Sequence, residues 1–290
     1  MIRLNENFVD IFEKTQRNPQ LVHNITNYVT VNDCANILLA MGSSPIMADD
    51  IEEVEEITTI CNALVLNIGT LNSRTVESMI VAGKKANELG HPVVLDPVGA
   101  GASKFRTEIT HRLLKEVKFS VIRGNVSEIK TVYAGAGTTK GVDADVKDAV
   151  TAETLDATIA LAKELAERTG AVIAVTGAMD IIVDAMNAYV VRNGHRDMSK
   201  ITGTGCMLSA MTAAYVAANP EKVLEAVVCV VASMGIAGEM ASRQIINNQL
   251  GTGSLRTFII DNISTMTGNT IETYAKITLI PRGEKAKIML

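Results

Sequence analysis

The sequence predicts an α/β fold, three layers deep, in which a mostly parallel central sheet is covered by helices on both faces. Three observations carry that expectation. Short, uninterrupted apolar runs recur, as in strands buried on both sides. Amphipathic stretches long enough for helices lie between them and end at glycine. No Pro/Gly/Ser linker, compositional break or internal repeat divides the 290 residues, so 1–290 reads as a single domain.

The first clear strand is 63–68 (ALVLNI), running into Gly69. A helix comes next over 74–89, with Val76, Met79, Ile80 and Gly83 on one stripe and Gly90 placed to cap it. Residues 92–95 (PVVL) and 119–123 (FSVIR) are the next strands. Over 151–169, Leu155, Ile159, Ala162 and Ala166 form a second helical stripe, stopped by Gly170, and 171–175 (AVIAV) is again a strand. Helices between short apolar strands imply crossovers and hence parallel pairing. Residues 180–184 and 189–192 are close enough to add an antiparallel pair at one edge. From Gly205 the chain reads mostly as helix. Its most apolar run, 226–238, lies between Glu225 and Glu239 and is too short for a ~20-residue crossing. It reads as a buried central helix. Residues 135–140 read as a surface loop and 281–290 as a loose tail.

Composition narrows the function. With 27 Lys+Arg against 32 Asp+Glu the formal charge is −5, which disfavours nucleic-acid backbones and anionic lipid as partners. Aromatics are 3% and Trp is absent, so base-stacking platforms are not expected. The N-terminus lacks a basic start with a small-residue cleavage site, so no secretory signal is expected. The four cysteines are dispersed, with no C-x-x-C pair, so reduced thiols in a cytoplasm are the simplest expectation.

In open parallel sheets, ligands bind beyond the carboxyl ends of the strands. Here the strands lead into Gly69-Thr70, Asp96-Pro97-Val98-Gly99-Ala100-Gly101, Arg123-Gly124-Asn125-Val126-Ser127-Glu128 and Thr176-Gly177. Glycine amides approach anions closely, Arg and Thr add donors, and Asp96 and Glu128 add carboxylates. Together they suit a polyphosphate with a hard divalent cation. Singly they are weak: Gly99-Ala100-Gly101 reads more readily as a turn, and Asp96 serves equally as a turn carboxylate. No P-loop and no dinucleotide fingerprint is present. Thr202-Gly203-Thr204-Gly205-Cys206 says more. Opening an apolar helix, it gathers unpaired amides and a positive dipole end at one point. That is an anion hole suited to a phosphoryl group in transfer. The plainer alternative is a tight loop under a core helix.

These motifs, with Val175-Thr176-Gly177 and the N-terminal His23-Asn24-Ile25-Thr26-Asn27, Ala35-Asn36 and Gly42-Ser43-Ser44-Pro45-Ile46-Met47-Ala48, resemble the hydroxyethylthiazole kinase family. The similarity runs from about residue 21 to about residue 263. It implies a ribokinase-like fold and ATP-dependent phosphorylation of the hydroxyl of 4-methyl-5-(2-hydroxyethyl)thiazole, in thiamine salvage. By that resemblance Met47 and Asn27 lie at the thiazole, Arg123 and Thr176 contact ATP, and Gly203 is the substrate-side glycine. Asp96 and Glu128 order Mg²⁺, the latter through N-x-x-E. The family is trimeric, with the thiazole pocket completed by a neighbouring subunit. Without the resemblance, Met47 reads as core and Arg123 as either a phosphate fork or a surface ion pair.

Cys206 occupies the place where ribokinases at large carry an aspartate base, and Gly205 precedes it in the catalytic run. At a helix N-terminus the thiol would have a lowered pKa, or the side chain is simply a small filler. His23 is a candidate pocket residue; His91, His111 and His195 read as solvated. Glu52, Glu53, Glu55 and Glu56 read as an acidic helix start. The rival readings are a ribokinase-like kinase for another small alcohol, of hydroxymethylpyrimidine or pyridoxal type, a nucleotide-dependent lyase on the same fold, and a nucleotide sensor.

Overall fold

Along Ala63–Asn67, Ala63 and Val65 enter one apolar cluster while Leu64 and Leu66 enter another, so the strand is buried on both faces. This alternation repeats in Val93–Asp96 and Val172–Val175, and it is what makes three layers. The structure, a computed structural model, describes residues 4–135 and 153–281.

In chain order the elements are α1 (Leu4–Arg17), β1 (Leu21–Ile25), α2 (Val31–Ala40), β2 (Ser44–Met47), α3 (Val54–Ile60), β3 (Ala63–Asn67), α4 (Ser73–Leu89), β4 (Val93–Asp96), α5 (Lys104–Glu116), β5 (Val121–Gly124) and α6 (Val126–Gly135). Then come α7 (Leu155–Thr169), β6 (Val172–Val175), β7 (Asp180–Val183), β8 (Ala188–Val191), a 3₁₀ turn (Arg196–Lys200), α8 (Thr204–Ala218), α9 (Val223–Asn247), α10 (Thr252–Ser264), α11 (Gly268–Tyr274) and β9 (Ile277–Ile280).

One sheet runs in the order β2-β1-β3-β4-β5-β6-β7-β8-β9. Pairing is parallel from β2 to β6 and antiparallel from β6 to β9. One face is covered by α1, α2, α8, α9 and α10 through residues such as Phe8, Ile37, Met211, Val230 and Ile259. The other is covered by α4 to α7 through Met79, Leu113, Ile129 and Leu165. The order 2-1-3 places a topological switch between β1 and β3, where a crevice opens beyond the carboxyl ends.

The expected central strands and the helix ends at Gly90 and Gly170 are present, both glycines being left-handed caps. Several expectations change. Strands β1, β2 and β9 were not foreseen, so the antiparallel edge holds three strands. The helix expected over 151–169 begins at Leu155, and residues 151 and 152 lie outside the described residues. Only Glu55 and Glu56 of the acidic run lie in a helix, in the first turn of α3. Length does not separate 226–238 from a membrane crossing. Helix α9 has 25 residues, long and apolar enough for one, but 83% of its apolar window is buried inside the molecule. Burial, not length, makes it a core helix. Of the loop expected over 135–140, Gly135 instead ends α6 and the rest lies outside the described residues, as do residues 282–290 of the tail expected over 281–290.

Candidate active site

Six parallel strands end on one edge of the sheet, and five of them leave a polar side chain there. In spatial order these are Asn27 after β1, Asn67 on β3, Asp96 on β4, Arg123 on β5 and Thr176 after β6. The register pairs Asn67 with Asp96 and Gly124 with Val175. Neighbouring strands therefore bring the row into mutual contact.

Asp96 is fully buried and has three donors. Its Oδ1 accepts from Arg123 Nη1 at 3.1 Å. Its Oδ2 accepts from Asn67 Nδ2 and from Ser209 Oγ, each at 2.8 Å. It is not a turn carboxylate. Arg123 Nη2 donates to Thr176 Oγ1 at 2.9 Å, and its buried Nε has no partner among the described residues. Burial works against the Arg123 charge, but Asp96, Glu128, Cys206 and Asp180 hold it above its ordinary value. This ion pair is interior, not a surface bridge.

The N-x-x-E motif is a capping box on α6. Asn125 Oδ1 accepts from Glu128 N at 2.9 Å, and Glu128 Oε2 accepts from Asn125 N at 2.8 Å. Glu128 Oε1 accepts from Gly99 N at 2.9 Å. Gly99 thus lies in a turn whose amide serves a protein carboxylate rather than cradling a phosphate. Burial pushes Glu128 up, partly offset by the Gly99 and Asn125 amides. Asp180, which accepts from Gly177 N at 2.9 Å, is pushed up by burial to about 7, with Gly177 and Arg123 opposing.

Helix α8 opens over this row. Its first ladder bond is Met207 N to Gly203 O at 2.8 Å, so the amides of Thr204, Gly205 and Cys206 precede the ladder and face outward from the helix end. Gly203 has φ +97°, and a Cβ there would lie 3.1 Å from Thr30 Cγ2 and 3.3 Å from Asp33 Oδ2. A Cβ on Gly205 would lie 2.7 Å from Arg123 Nη2. Cys206 Sγ accepts from Asn27 Nδ2 at 3.2 Å and from Asn67 Nδ2 at 3.4 Å. Burial, then Asp96, pushes the thiol up despite Thr30, Asn27 and Arg123. The lowered pKa expected from its helix position is not realised, because desolvation outweighs the dipole.

A cavity of about 550 Å³ runs from this point. Arg123, Thr176 and Asp180 line one part, Thr204 and Gly205 another, and Asn193 to Arg196, Met198 and Ser199 with α9 form the rest. The rim is tight: a Cβ on Gly235 would stand 2.6 Å from Asn193 C, and one on Gly238 2.2 Å from Met198 Sδ.

Asn27, Asp96, Arg123, Glu128, Thr176, Gly203, Gly205 and Cys206 are thus brought together. Met47 stands apart from that cavity. It is half-buried at the end of β2 and packs on the cluster beneath α8. His23 does not line a pocket: it is fully buried, its Nδ1 on Thr58 Oγ1 at 3.0 Å and its Nε2 on Ala48 O at 2.9 Å. His91, His111 and His195 are half-buried rather than solvated, and His195 lines the cavity. Sequence reasoning missed Asn67, Ser209 and Asp180. A polar residue closing the otherwise apolar β3 was the available signal for Asn67.

Among the described residues no group of three or more His, Cys, Asp or Glu side chains converges. A cation here has two carboxylates to draw on. Asp96 Oδ1 and both Glu128 oxygens each accept a single hydrogen bond among the described residues, which leaves lone pairs for metal-bound water. Two buried carboxylates facing one guanidinium leave a negative surplus. That donor set fits Mg²⁺, which keeps several waters and takes one or two carboxylates.

The profile of the hydroxyethylthiazole kinase family matches residues 12–269. A hydroxyethylthiazole kinase of Clostridium acetobutylicum is 61% identical over 256 residues, 88% of this chain and 93% of the relative. The solved structure of a hydroxyethylthiazole kinase from Pyrococcus horikoshii superposes with a TM-score of 0.85 at 36% identity, covering 95% of this chain and all of that one. A ribokinase-like superfamily protein from Enterococcus faecalis, at 10% identity and a TM-score of 0.61 over 92% of this chain and 94% of its own, shares the fold.

Proposed function

The chain belongs to the hydroxyethylthiazole kinase family, and from that premise we propose that the mouth of α8 receives the phosphoryl group passing from ATP to the thiazole alcohol. The reaction is ATP-dependent phosphorylation of the hydroxyl of 4-methyl-5-(2-hydroxyethyl)thiazole. The observation that carries the mechanism is the packing of Gly205 on Arg123, which sets the open amides of α8 beside a guanidinium braced by Asp96 and Thr176.

Phosphoryl transfer depends on positioning and charge stabilisation more than on covalent chemistry. The amides of Thr204, Gly205 and Cys206 stabilise charge on the moving group, and Gly203 leaves room for the alcohol. Arg123 and Thr176 hold the triphosphate in the adjoining cavity, whose far wall takes the nucleoside. Mg²⁺, when bound, neutralises triphosphate charge, and Asp96 and Glu128 would hold it through water. Cys206 and Asn27 line the alcohol side. A thiol held protonated is a weak base, and an alcohol proton needs little pulling before a loose transition state, so Cys206 contributes modestly.

Met47 belongs to the alcohol pocket of a homotrimer. Its half-buried place at the end of edge strand β2, paired with Asn24 of β1, and the exposed Tyr28 and Val29 in the segment that follows β1 support a neighbouring subunit completing that pocket. We place the enzyme in the cytoplasm, where its thiols stay reduced.

Incubation with the thiazole alcohol and Mg·ATP, with the product identified by mass, tests the reading. Phosphorylated thiazole alcohol is expected. Product only from hydroxymethylpyrimidine or pyridoxal in a parallel panel would overturn the substrate assignment.

A further inference from the structure

We propose that Arg106 is a positioning residue for this reaction: one guanidinium sets the two loops that carry the acceptor side and the metal side of the site. The inference rests on the proposed kinase function. Arg106 stands in the first turn of α5, its amide capped by Ser103 Oγ at 3.2 Å. A cation there meets the positive end of the helix dipole. Its side-chain partners among the described residues are two carbonyls, with no carboxylate. Neither helix stability nor ion pairing accounts for it.

Arg106 Nη1 donates to Val98 O at 2.6 Å and Nη2 to Gly69 O at 2.7 Å. These carbonyls belong to the loops after the neighbouring strands β4 and β3. On one loop, Gly69 N donates to Asn67 Oδ1 at 2.9 Å, and Asn67 reaches Asp96 and Cys206. On the other, Gly99 N donates to Glu128 Oε1 at 2.9 Å. Gly99 is moulded on the guanidinium, since a Cβ there would stand 2.7 Å from Nη1. A planar fork between two carbonyls fixes the spacing of the Asn67–Cys206 group from Glu128. A lysine ammonium, a single point charge on a flexible stem, does not.

The test compares the parent with Arg106→Lys, and with Thr107→Val as a control for loop stability. Thr107 Oγ1 accepts from Gly101 N at 3.0 Å in the same loop without reaching β3. Arg106→Lys is expected to stay folded by circular dichroism, with kcat lower by roughly tenfold to a hundredfold. The Mg²⁺ concentration for half-maximal rate rises several-fold. Metal-free ADP binding, by calorimetry, stays within about twofold of the parent, because Arg106 does not line the nucleotide cavity. Thr107→Val leaves all three readouts near the parent. In Arg106→Ala, added ethylguanidinium restores part of kcat. A folded Arg106→Lys with parental kcat and Mg²⁺ midpoint, or an equal loss in Thr107→Val, would overturn the proposal. A parent that fails to phosphorylate the thiazole alcohol defeats the functional reading instead.

Discussion

Gly205 and Arg123 occupy a space that admits no methyl group between them: a Cβ on the glycine would lie 2.7 to 3.0 Å from three guanidinium atoms. The guanidinium cannot swing aside freely, because Asp96 and Thr176 hold its two ends. Gly205→Ala should displace Arg123 and leave a folded protein whose kcat/KM for ATP falls about a hundredfold. Initial rates against ATP, beside a far-ultraviolet spectrum, check this; an unchanged kcat/KM would show that the contact is incidental.

Gly203 combines a left-handed backbone with close neighbours. Valine there meets a backbone penalty of about 1–2 kcal/mol and a Cβ only 3.1 Å from Thr30 Cγ2. Turnover should be abolished by obstruction of the alcohol and the amides, with melting lowered by several degrees. Recovery of parental turnover in folded Gly203→Val would refute the assigned role.

Cys206→Ala should retain measurable turnover, with a loss below about a hundredfold, because a thiol raised by burial supplies little base strength. Cys206→Asp should keep or raise activity. A dead alanine variant that still binds both substrates would show the base to be essential, and a folded but inert aspartate variant would count against a role shared with the ribokinase aspartate.

Asp180 gives a pH dependence with a definite sign. Its folded pKa is raised from 3.8 to about 7, so its favourable contribution is complete below 3.8 and is lost as pH rises through about 7. Asp180→Asn retains an acceptor for Gly177 N and removes the charging penalty. The melting temperature of the variant relative to the parent should therefore be higher at pH 8 than at pH 4.5. A constant difference across that range would contradict the assignment.

The central strands were legible because β3, β4, β5 and β6 are apolar on both faces and need no partner to be recognised. Strand β1 was hidden by His23 and Asn24, polar residues inside the core, the histidine being satisfied by Thr58 and Ala48. Strand β2 opens Ser-Pro at an edge, and β9 sits half-exposed behind a helical stretch. Within the site, Arg123 was readable as a charge closing an apolar strand. Ser209 was not, since its meaning depends on laying α8 over β4, 113 residues away in sequence. The direction of the Cys206 pKa was hidden for the same reason: a helix end is visible in sequence, the desolvation around it is not.

The two missing side chains on α9 have a consequence for whatever enters beside them. With Gly235 flush against Asn193 and Gly238 against Met198, α9 packs directly on the segment leading into the 3₁₀ turn and on the turn itself. An occupant of the cavity therefore meets a wall that, at Gly235, is backed by main chain rather than by a side chain that can rotate away. A methyl added at Gly235 would press that main chain outward and should change which occupant the cavity admits.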